Sequence, residues 1–370
     1  MTSLLEQVGA DPTPARVPAG RAGGSQAGTG AEEAGSGLAA VLSSSVQGQN
    51  AAVEAVVRAV TIANARLVPA GRPLANLLFL GPTGVGKTQM VRSLAGAIRT
   101  GEEDYCRVDM SSLAQEHYAS SITGAPPGYS GSKEGFSVFD RGKIESSPGM
   151  PGIVLFDEIE KAHATVVRAL LHILDNGFLR LANGHETISF RNCIVVMTSN
   201  LGAAELARFR RNRAAGLAAA AVDRLFSTDR APALQRQHNE WLRRNESRIL
   251  DRALNSFFDP EFLNRVDEVV RFDGIGRDVA HSLVRAEIAD LVRRLRRRYV
   301  ELSVDEKALA HLAAKGFSTE YGARALQRII RTELLSPLAV WMADEQPSSS
   351  KPLKVLANQT GSGITCCTIP

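Results

Sequence analysis

The chain has 370 residues, of which 44% are hydrophobic and 22% are charged, and this is enough for two globular domains with cores of their own. Its net charge is +4, its four cysteines show no metal-ligand spacing, and no apolar run approaches the ~18 residues of a transmembrane helix. These features exclude the membrane-spanning and disulfide-rich classes, and we expect a cytoplasmic protein with no membrane partner.

The start of the chain is rich in Gly, Ala, Ser and Pro and has little apolar patterning, so a disordered leader is expected over 1–37. Over 38–272, helical patterning alternates with apolar runs such as NLLFL, GIVLF and NCIVVM. Strands that alternate with helices predict an α/β domain whose parallel sheet is covered by helices. Ligands of such domains bind at the carboxyl ends of the strands, where the polar motifs of this chain fall.

The segment GPTGVGKT follows the first apolar run, precedes a helical pattern, and matches G-x-x-x-x-G-K-S/T completely. Its glycines let backbone N–H groups turn toward phosphate oxygens, and the following helix points its positive end at the same place. Lys87 is expected to reach the outer phosphates, and Thr88 is expected to hold Mg²⁺. The predicted phosphate-binding residues are Gly81, Pro82, Thr83, Gly84, Val85, Gly86, Lys87 and Thr88.

Two further strand ends carry polar side chains. Asp157 and Glu158 follow the apolar residues IVLF, and we expect Asp157 in the Mg²⁺ shell and Glu158 beside an attacking water. Alone, this acidic pair would be interpreted as a helix N-cap. Asn200 ends the run VVMTSN, and it is expected to bind the γ-phosphate or to orient the water, although alone it would be assigned to a turn. Together, the three strand ends predict an enzyme that hydrolyses a nucleoside triphosphate with Mg²⁺, and the family resemblance given below implies that this nucleotide is ATP.

The pattern changes after the α/β region. Amphipathic segments at helical spacing and a short apolar strand, KPLKVLAN, predict a small, mostly helical second domain over 273–358 and a flexible tail over 359–370. Arginine clusters lie at 208–213 and 293–298. We interpret them as solvated helix faces, because no aromatic residues interleave with them as a nucleic-acid surface would require.

These motifs, in this order, resemble those of the Clp-type AAA+ unfoldases, in particular the second ATPase domain of ClpA and ClpB. The shared stretches cover about residues 46–340 and are GQNAAVEAVVRAV, FLGPTGVGKT, GAPPGYSG, DEIEKAH, MTSNLG, FFDPEFLNRVDEVVRF and GARALQR. The resemblance implies an AAA+ P-loop fold in which 273–358 is a C-terminal lid of the D2-small type. It also implies a homo-oligomer, usually a hexameric ring, with ATP sites between subunits.

Four residues near the nucleotide acquire roles only through this resemblance. Arg265, in FLNRVDE, matches the arginine finger that reaches the γ-phosphate bound by the neighbouring subunit. Arg324, in GAR, matches the second sensor, which carries the nucleotide state to the lid. Val46 and Gly48, in VQGQ, match the pocket on the adenine side. By themselves, the two arginines would be interpreted as surface or ion-pair residues.

The stretch GAPPGYSGSKEGF matches the loop that lines the central pore of the family's ring. Its tyrosine, Tyr129, would grip an unfolded polypeptide, and the flanking Gly128 and Gly131 would let it move with the nucleotide state. The loop departs from the family's Gly-Tyr-Val-Gly-Tyr, because serines replace the valine and the second tyrosine. That change removes apolar bulk and implies a weaker grip or different substrates.

The function expected from the sequence is an ATP-dependent unfoldase or remodelling chaperone that acts on unfolded or aggregated protein. An alternative is the ATPase subunit of a Clp-type protease. Residues 201–257 contain no Ile-Gly-Phe or Ile-Gly-Leu tripeptide of the sort that docks ClpA and ClpX onto a peptidase, so a ClpP-like partner is not supported. A nucleic-acid motor that uses the arginine clusters ranks lower, and a regulator that uses ATP only as a switch is a fourth alternative.

Overall fold

The computed structural model of the chain describes residues 29–69, 71–115, 139–145, 147, 149–180, 187–216, 231–316, 322–347, 353–361 and 363–369. Up to residue 271 the elements are α1 Thr29–Ser45, α2 Asn50–Asn64, β1 Ala75–Leu80, α3 Lys87–Ile98, β2 Cys106–Asp109, α4 Arg141–Ile144, β3 Gly152–Asp157, α5 Ala164–Asn176, β4 Phe178–Arg180, β5 Thr187–Ser189, β6 Cys193–Ser199, α6 Ala203–Gly216, α7 Ala231–Phe257, α8 Pro260–Leu263 and β7 Glu268–Arg271. None of the helices in the described ranges is long and apolar enough to span a membrane.

The central sheet is parallel and has the strand order β2-β3-β6-β1-β7. Its three inner strands are buried along their whole length, because helices cover both faces. Alternate residues of β1 enter different cores: Leu78 and Leu80 pack on one face, and Leu77 and Phe79 on the other. The predicted α/β fold is therefore confirmed, and the carboxyl ends of its strands share one edge.

A smaller unit follows this sheet. Its elements are α9 Arg277–Arg296, β8 Val300–Val304, α10 Glu306–Gly316, α11 Gly322–Ile330, a π-helical turn Arg331–Leu335, α12 Ser336–Glu345, β9 Leu353–Thr360 and β10 Gly363–Ile369. The helices pack on a three-stranded sheet of order β10-β9-β8, and the shared core includes Val284, Leu312, Leu334 and Val355. We call this unit the lid. The expectation of a mostly helical C-terminal part is confirmed, with more strand than the one short segment predicted.

Both ends of the predicted domain plan need correction. The expected leader, 1–37, overlaps α1, which begins at Thr29 and continues to the buried side chains of Leu38 and Leu42. The expected flexible tail, 359–370, contains β10, which pairs with β9 in antiparallel register from Gly363 to Ile369. Ile364 of β10 is buried in the lid core, and this burial stabilises the pairing of β10 with β9.

The arginine clusters are partly engaged within the protein. Arg210 forms two hydrogen bonds to the carboxylate of Glu246, from Nε at 2.7 Å and from Nη2 at 3.0 Å, and so links α6 to α7. In the second cluster, Arg293 and Arg294 both pair with Asp290 one turn earlier on α9. These contacts agree with the interpretation of the clusters as helix faces.

Candidate functional site

The glycine-rich turn between β1 and α3 has the backbone geometry of a phosphate cradle. We call residues 81–88 the P-loop. Gly86 caps the N-terminus of α3 with a φ of 105°, in the region that glycine adopts without strain. A Cβ at this position would lie 2.8 Å from Cγ1 of Val46, so the loop also packs closely on the segment that precedes α2. Only glycine meets both requirements here.

Lys87 begins α3 and is 8% exposed. Its Nζ donates hydrogen bonds to the carbonyl oxygens of Gly81 and Pro82, the latter at 2.8 Å, and to Oδ1 of Asn200 at 2.7 Å. Burial lowers the pKa of Lys87 from 10.5 to about 8, although the nearby carboxylates of Glu160, Asp157 and Glu158 act in the opposite direction. The ammonium group thus has three hydrogen-bond acceptors, but its removal from water costs free energy.

Asp157 ends β3 beneath the P-loop and is bonded on both carboxylate oxygens. Oδ1 accepts a hydrogen bond from the hydroxyl of Thr198 at 2.6 Å, and Oδ2 accepts one from Nη2 of Arg107 at 2.6 Å. Thr198 also accepts a hydrogen bond from the backbone N–H of Glu158 at 2.9 Å. One buried hydroxyl on β6 therefore contacts both the carboxylate of Asp157 and the backbone of Glu158, the residue that follows β3.

Glu158 has a φ of 59°, which is the left-handed region and is strained for a residue with a side chain. Such outliers concentrate at functional sites, where the surrounding structure holds them in place. The side-chain amide of Asn200 lies 3.5 Å from Oε1 of Glu158, and the backbone N–H of Asn200 donates to Oε1 of Glu160 at 3.0 Å. The ends of β3 and β6 are thereby joined beside the P-loop.

These groups line a cavity of about 410 Å³, which we call the P-loop cavity. Its lining residues include Thr83, Gly84, Gly86, Lys87, Thr88, Arg107, Asp157, Glu158, Asn200 and Arg324. A second cavity of about 390 Å³ adjoins it, and both are lined by Gly84, Gly86 and Gln327. Val46 and Val85 line the second cavity, which is the less polar of the two. The more polar cavity thus lies beside the less polar one, an arrangement that suits a polyanion with a less polar group attached.

Three predicted residues do not line these cavities but contact residues close to them. Gly81 and Pro82 contribute the carbonyl oxygens that hold Lys87. Gly48 has a φ of 75°, and a Cβ there would lie 2.5 Å from Val279 of α9, so it packs the adenine-side motif against the lid. Beside it, the amide of Gln49 exchanges two hydrogen bonds with the backbone of Asp273, at 2.8 and 2.9 Å. The motif that contains Val46 is thus held against α9 of the lid through Gly48, and against the segment that precedes α9 through Gln49.

Arg324 reaches the P-loop cavity from the lid. It lies in the first turn of α11, where the backbone N–H of Ala323 donates to the carbonyl oxygen of Gly84 at 2.9 Å. The preceding Gly322 approaches the same carbonyl so closely that a Cβ would lie 2.7 Å from its oxygen. A lid helix therefore contacts the P-loop directly and brings a cation to it.

Arg265 lies at the opposite edge of the sheet. Its carbonyl oxygen accepts hydrogen bonds from Nδ2 of Asn76 at 3.0 Å and Nη2 of Arg72 at 3.3 Å, near the amino end of β1. The P-loop follows the carboxyl end of that strand, and the rise from Asn76 to Leu80 is about 13 Å. The structure does not bring Arg265 to the cavity of its own chain.

Oxygen ligands suited to Mg²⁺ line the P-loop cavity, namely the hydroxyl of Thr88 and the carboxylates of Asp157 and Asp109. The described part of the chain contains no group of three or more His, Cys, Asp or Glu side chains arranged to hold a metal by themselves. Mg²⁺ at nucleotide sites is bound by one or two carboxylates together with phosphates. The residues present fit that mode.

Gly128, Tyr129 and Gly131 lie outside the described residues. Conversely, four residues that the structure places at the site were not predicted from the sequence, namely Arg107, Thr198, Glu160 and Asp109. Thr198 and Glu160 stand inside the quoted motifs MTSNLG and DEIEKAH, so their position could have pointed to them. Arg107 and Asp109 lie on the same, exposed face of β2, and their relevance depends on the pairing of Asp109 with Asp157 on the neighbouring strand.

Two family models match the chain in sequence. The model described as "AAA domain (Cdc48 subfamily)" matches residues 72–269. The model described as "C-terminal, D2-small domain, of ClpB protein" matches residues 275–355. The two matches follow each other along the chain, as the α/β part and the lid do.

The chain is also similar to several curated proteins. It is 49% identical to an "ATP-dependent protease ATP-binding subunit-like protein" of Rhodococcus erythropolis, over 88% of each chain. It is 44% identical to a Pseudomonas aeruginosa protein of the same description named AmiB, over 86% of this chain and 82% of the relative. A "Chaperone protein ClpB" of Gloeobacter violaceus is 37% identical over 80% of this chain, which corresponds to 30% of the ClpB sequence.

Proposed function

This chain belongs to the Clp-type AAA+ ATPases, enzymes that hydrolyse ATP, and from that premise we propose that it forms a ring of identical subunits that uses ATP to remodel protein substrates. The observation that carries the proposal is the separation of Arg265 from the P-loop cavity of its own chain. A finger at that edge of the sheet completes an ATP site only if it reaches the cavity of a neighbouring subunit.

Within one subunit, the P-loop backbone and Lys87 bind the outer phosphates of ATP, and Thr88 and Asp157 would hold Mg²⁺. In that position the ion would supply positive charge where the phosphates gain negative charge. Glu158 accepts the proton of the attacking water, and Asn200 orients that water together with the carboxylate of Glu158. Phosphoryl transfer has a loose transition state, so fixed charges and good positioning supply most of the rate enhancement.

The neighbouring subunit supplies Arg265. A guanidinium beside the γ-phosphate stabilises the charge that spreads over its oxygens in the transition state, and in other nucleotide hydrolases it accelerates the reaction by roughly 10³–10⁵-fold. Its delivery in trans makes hydrolysis depend on assembly. Within the same chain, Arg324 and the contact of α11 with Gly84 support a role for the lid in sensing the nucleotide.

Protein remodelling is proposed from the loop GYSG. Tyr129 offers an aromatic ring that binds many side chains without reading sequence, and Gly128 and Gly131 give it freedom to move. The similarity to ClpB proteins, which are named as chaperones, supports a polypeptide substrate. In this proposal, ATP-driven movements of the ring draw an unfolded segment past Tyr129.

The test is ATP-dependent unfolding of a fluorescent protein that carries an unstructured tail. We expect Tyr129→Ala to slow the loss of fluorescence by about tenfold or more, because an aromatic anchor is removed from the substrate contact. Tyr129→Phe keeps the ring and serves as the matched control, with a rate near that of wild type. Unfolding by Tyr129→Ala at the wild-type rate would contradict the threading role while leaving the ATPase assignment intact.

A second candidate is the ATPase subunit of a protease. It is favoured by the two relatives that match over most of their own length, since both are described as ATP-dependent protease ATP-binding subunit-like proteins. The same fluorescent substrate distinguishes the two functions. A remodelling chaperone releases an intact polypeptide, whereas a protease subunit yields peptides only after a peptidase is added.

A further inference from the structure

Arg265 makes an ion pair with Asp175, the penultimate residue of α5. Nε of Arg265 lies 3.0 Å from Oδ1 of Asp175, and the two side chains are 35% and 45% exposed. We propose that Asp175 is a positioning residue that holds the guanidinium of Arg265 in the orientation needed by the neighbouring ATP site. This inference rests on the proposed trans-acting role of Arg265.

The backbone on both sides of this ion pair is already fixed. Asn76, which is fully buried, donates from Nδ2 to the carbonyl oxygens of Leu174 at 3.2 Å and of Arg265 at 3.0 Å. Arg72 bonds to the same two carbonyl oxygens, from Nε at 3.4 Å and from Nη2 at 3.3 Å. Two side chains therefore join the end of α5 to the turn that carries Arg265.

With the backbone of Arg265 fixed in this way, its remaining conformational freedom is rotation about the four rotatable bonds of its side chain. Asp175 takes the Nε edge of the guanidinium. Within the described part of the chain, Arg265 makes no other ion pair and its side chain is 35% exposed, so its two terminal nitrogens are left for an acceptor outside the chain. A guanidinium that is held through Nε presents this outer pair to a phosphate, which it can bind with both donors.

The exposure of the pair separates a positioning role from a structural one. Exposed ion pairs contribute little to stability, so loss of the Asp175 carboxylate should not unfold the protein. Phosphoryl transfer is far more sensitive, because a catalytic group that is misplaced by about 1 Å can cost about 100-fold in rate. The expected signature is a loss of turnover without a loss of stability or of nucleotide binding.

A mixing experiment measures how much ATPase activity the Arg265 of one subunit restores at the ATP site of its neighbour. Arg265→Ala subunits have an intact P-loop and act as receivers, and Lys87→Ala subunits have an intact Arg265 and act as donors. Neither hydrolyses ATP efficiently alone, but mixed rings should regain activity at sites where a receiver lies next to a donor. With Lys87→Ala/Asp175→Asn as the donor, we expect about tenfold less recovery, because the finger is no longer oriented.

The matched control is the donor Lys87→Ala/Asp251→Asn. Asp251 pairs with Arg271 at 2.8 Å, with side chains 50% and 41% exposed, so it loses an equivalent ion pair elsewhere on the same domain. Its recovery should equal that of the Lys87→Ala donor, and the melting temperatures of all donors should agree. Equal recovery with the Asp175→Asn donor would overturn the role of Asp175. No recovery with any donor would instead overturn the trans-acting ring.

Discussion

At the scale of single residues, Lys87 is a charged side chain that the site holds largely away from water. Its ammonium group is nearly buried, and burial lowers its pKa to about 8 from the ordinary 10.5. At neutral pH it is still protonated in both the folded and the unfolded chain, so the folded protein bears the full cost of desolvating the charge. The residue is therefore expected to lower the stability of the protein in the absence of nucleotide.

We expect the stability of Lys87→Met relative to wild type to be highest at pH 7 and to fall as the pH rises. Between pH 8 and 10.5 the folded wild type has lost this proton while its unfolded chain keeps it, and stability rises with pH wherever the unfolded state binds more protons. Urea unfolding of both proteins without nucleotide, from pH 7 to pH 10, measures the difference. A difference that does not change over this range would contradict the lowered pKa.

The sequence identified the residues of this site that belong to spaced motifs, such as Lys87, Asp157 and Glu158, because their geometry is local. It did not identify Arg107 or Thr198, which meet Asp157 from β2 and β6. Their contacts depend on which strands are neighbours and in which register. Neither property can be read from one strand alone.

At the scale of elements, the contact between the lid and the P-loop is the feature with the clearest consequence. The N-terminus of α11 lies against the carbonyl oxygen of Gly84, and Gly322 has a φ of 53°. A methyl group at this position would lie 2.7 Å from that oxygen, so α11 would have to move away. Arg324 would move with it.

Gly322→Ala should weaken ATP binding by about tenfold, which corresponds to about 1.4 kcal/mol of lost lid contact. Gly361→Ala is the matched control, because Gly361 has a φ of 61° and open space around its Cβ position. It introduces the same backbone strain without the clash. Titration with a fluorescent ATP analogue gives both affinities, and equal affinities would contradict a role for the lid contact in nucleotide binding.

The predictions for the two ends of the chain were wrong for different reasons. The glycines and serines of the expected leader lower its helix propensity, yet α1 begins within it at Thr29, because Leu38 and Leu42 anchor the same helix in the core. The segment GITCCTI looked loose because nothing local marks a partner strand. Its pairing with β9 and the bond from Nε1 of Trp341 to Thr368 at 3.1 Å are tertiary features.

At the scale of the whole molecule, the P-loop cavity and Arg265, the proposed finger, lie apart in the same chain. The P-loop, the acidic strand end and Arg324 converge on one edge of the sheet, and Arg265 lies at the other. This arrangement suits a ring, where each subunit contacts two neighbours through different surfaces and Arg265 of one subunit can face the cavity of the next. The parallel α/β fold and the lid follow from motif order, whereas the ring is a proposal built on the position of Arg265.

The proposed ring makes ATP hydrolysis a property of the assembly. A site that needs a neighbour's arginine is inactive in a monomer, however tightly it binds ATP. The rate per subunit must then follow the fraction of subunits that are assembled, and loss of the finger must abolish turnover without dissociating the nucleotide.

The most direct test is the ATPase rate per subunit as a function of protein concentration, for wild type and Arg265→Ala, with sedimentation of the same samples in ATP. We predict a wild-type rate that rises with concentration in step with a ring-sized species, and a rate for Arg265→Ala that is lower by about 10³-fold or more at every concentration. A rate per subunit that is independent of concentration and unchanged by Arg265→Ala would contradict the trans-acting ring.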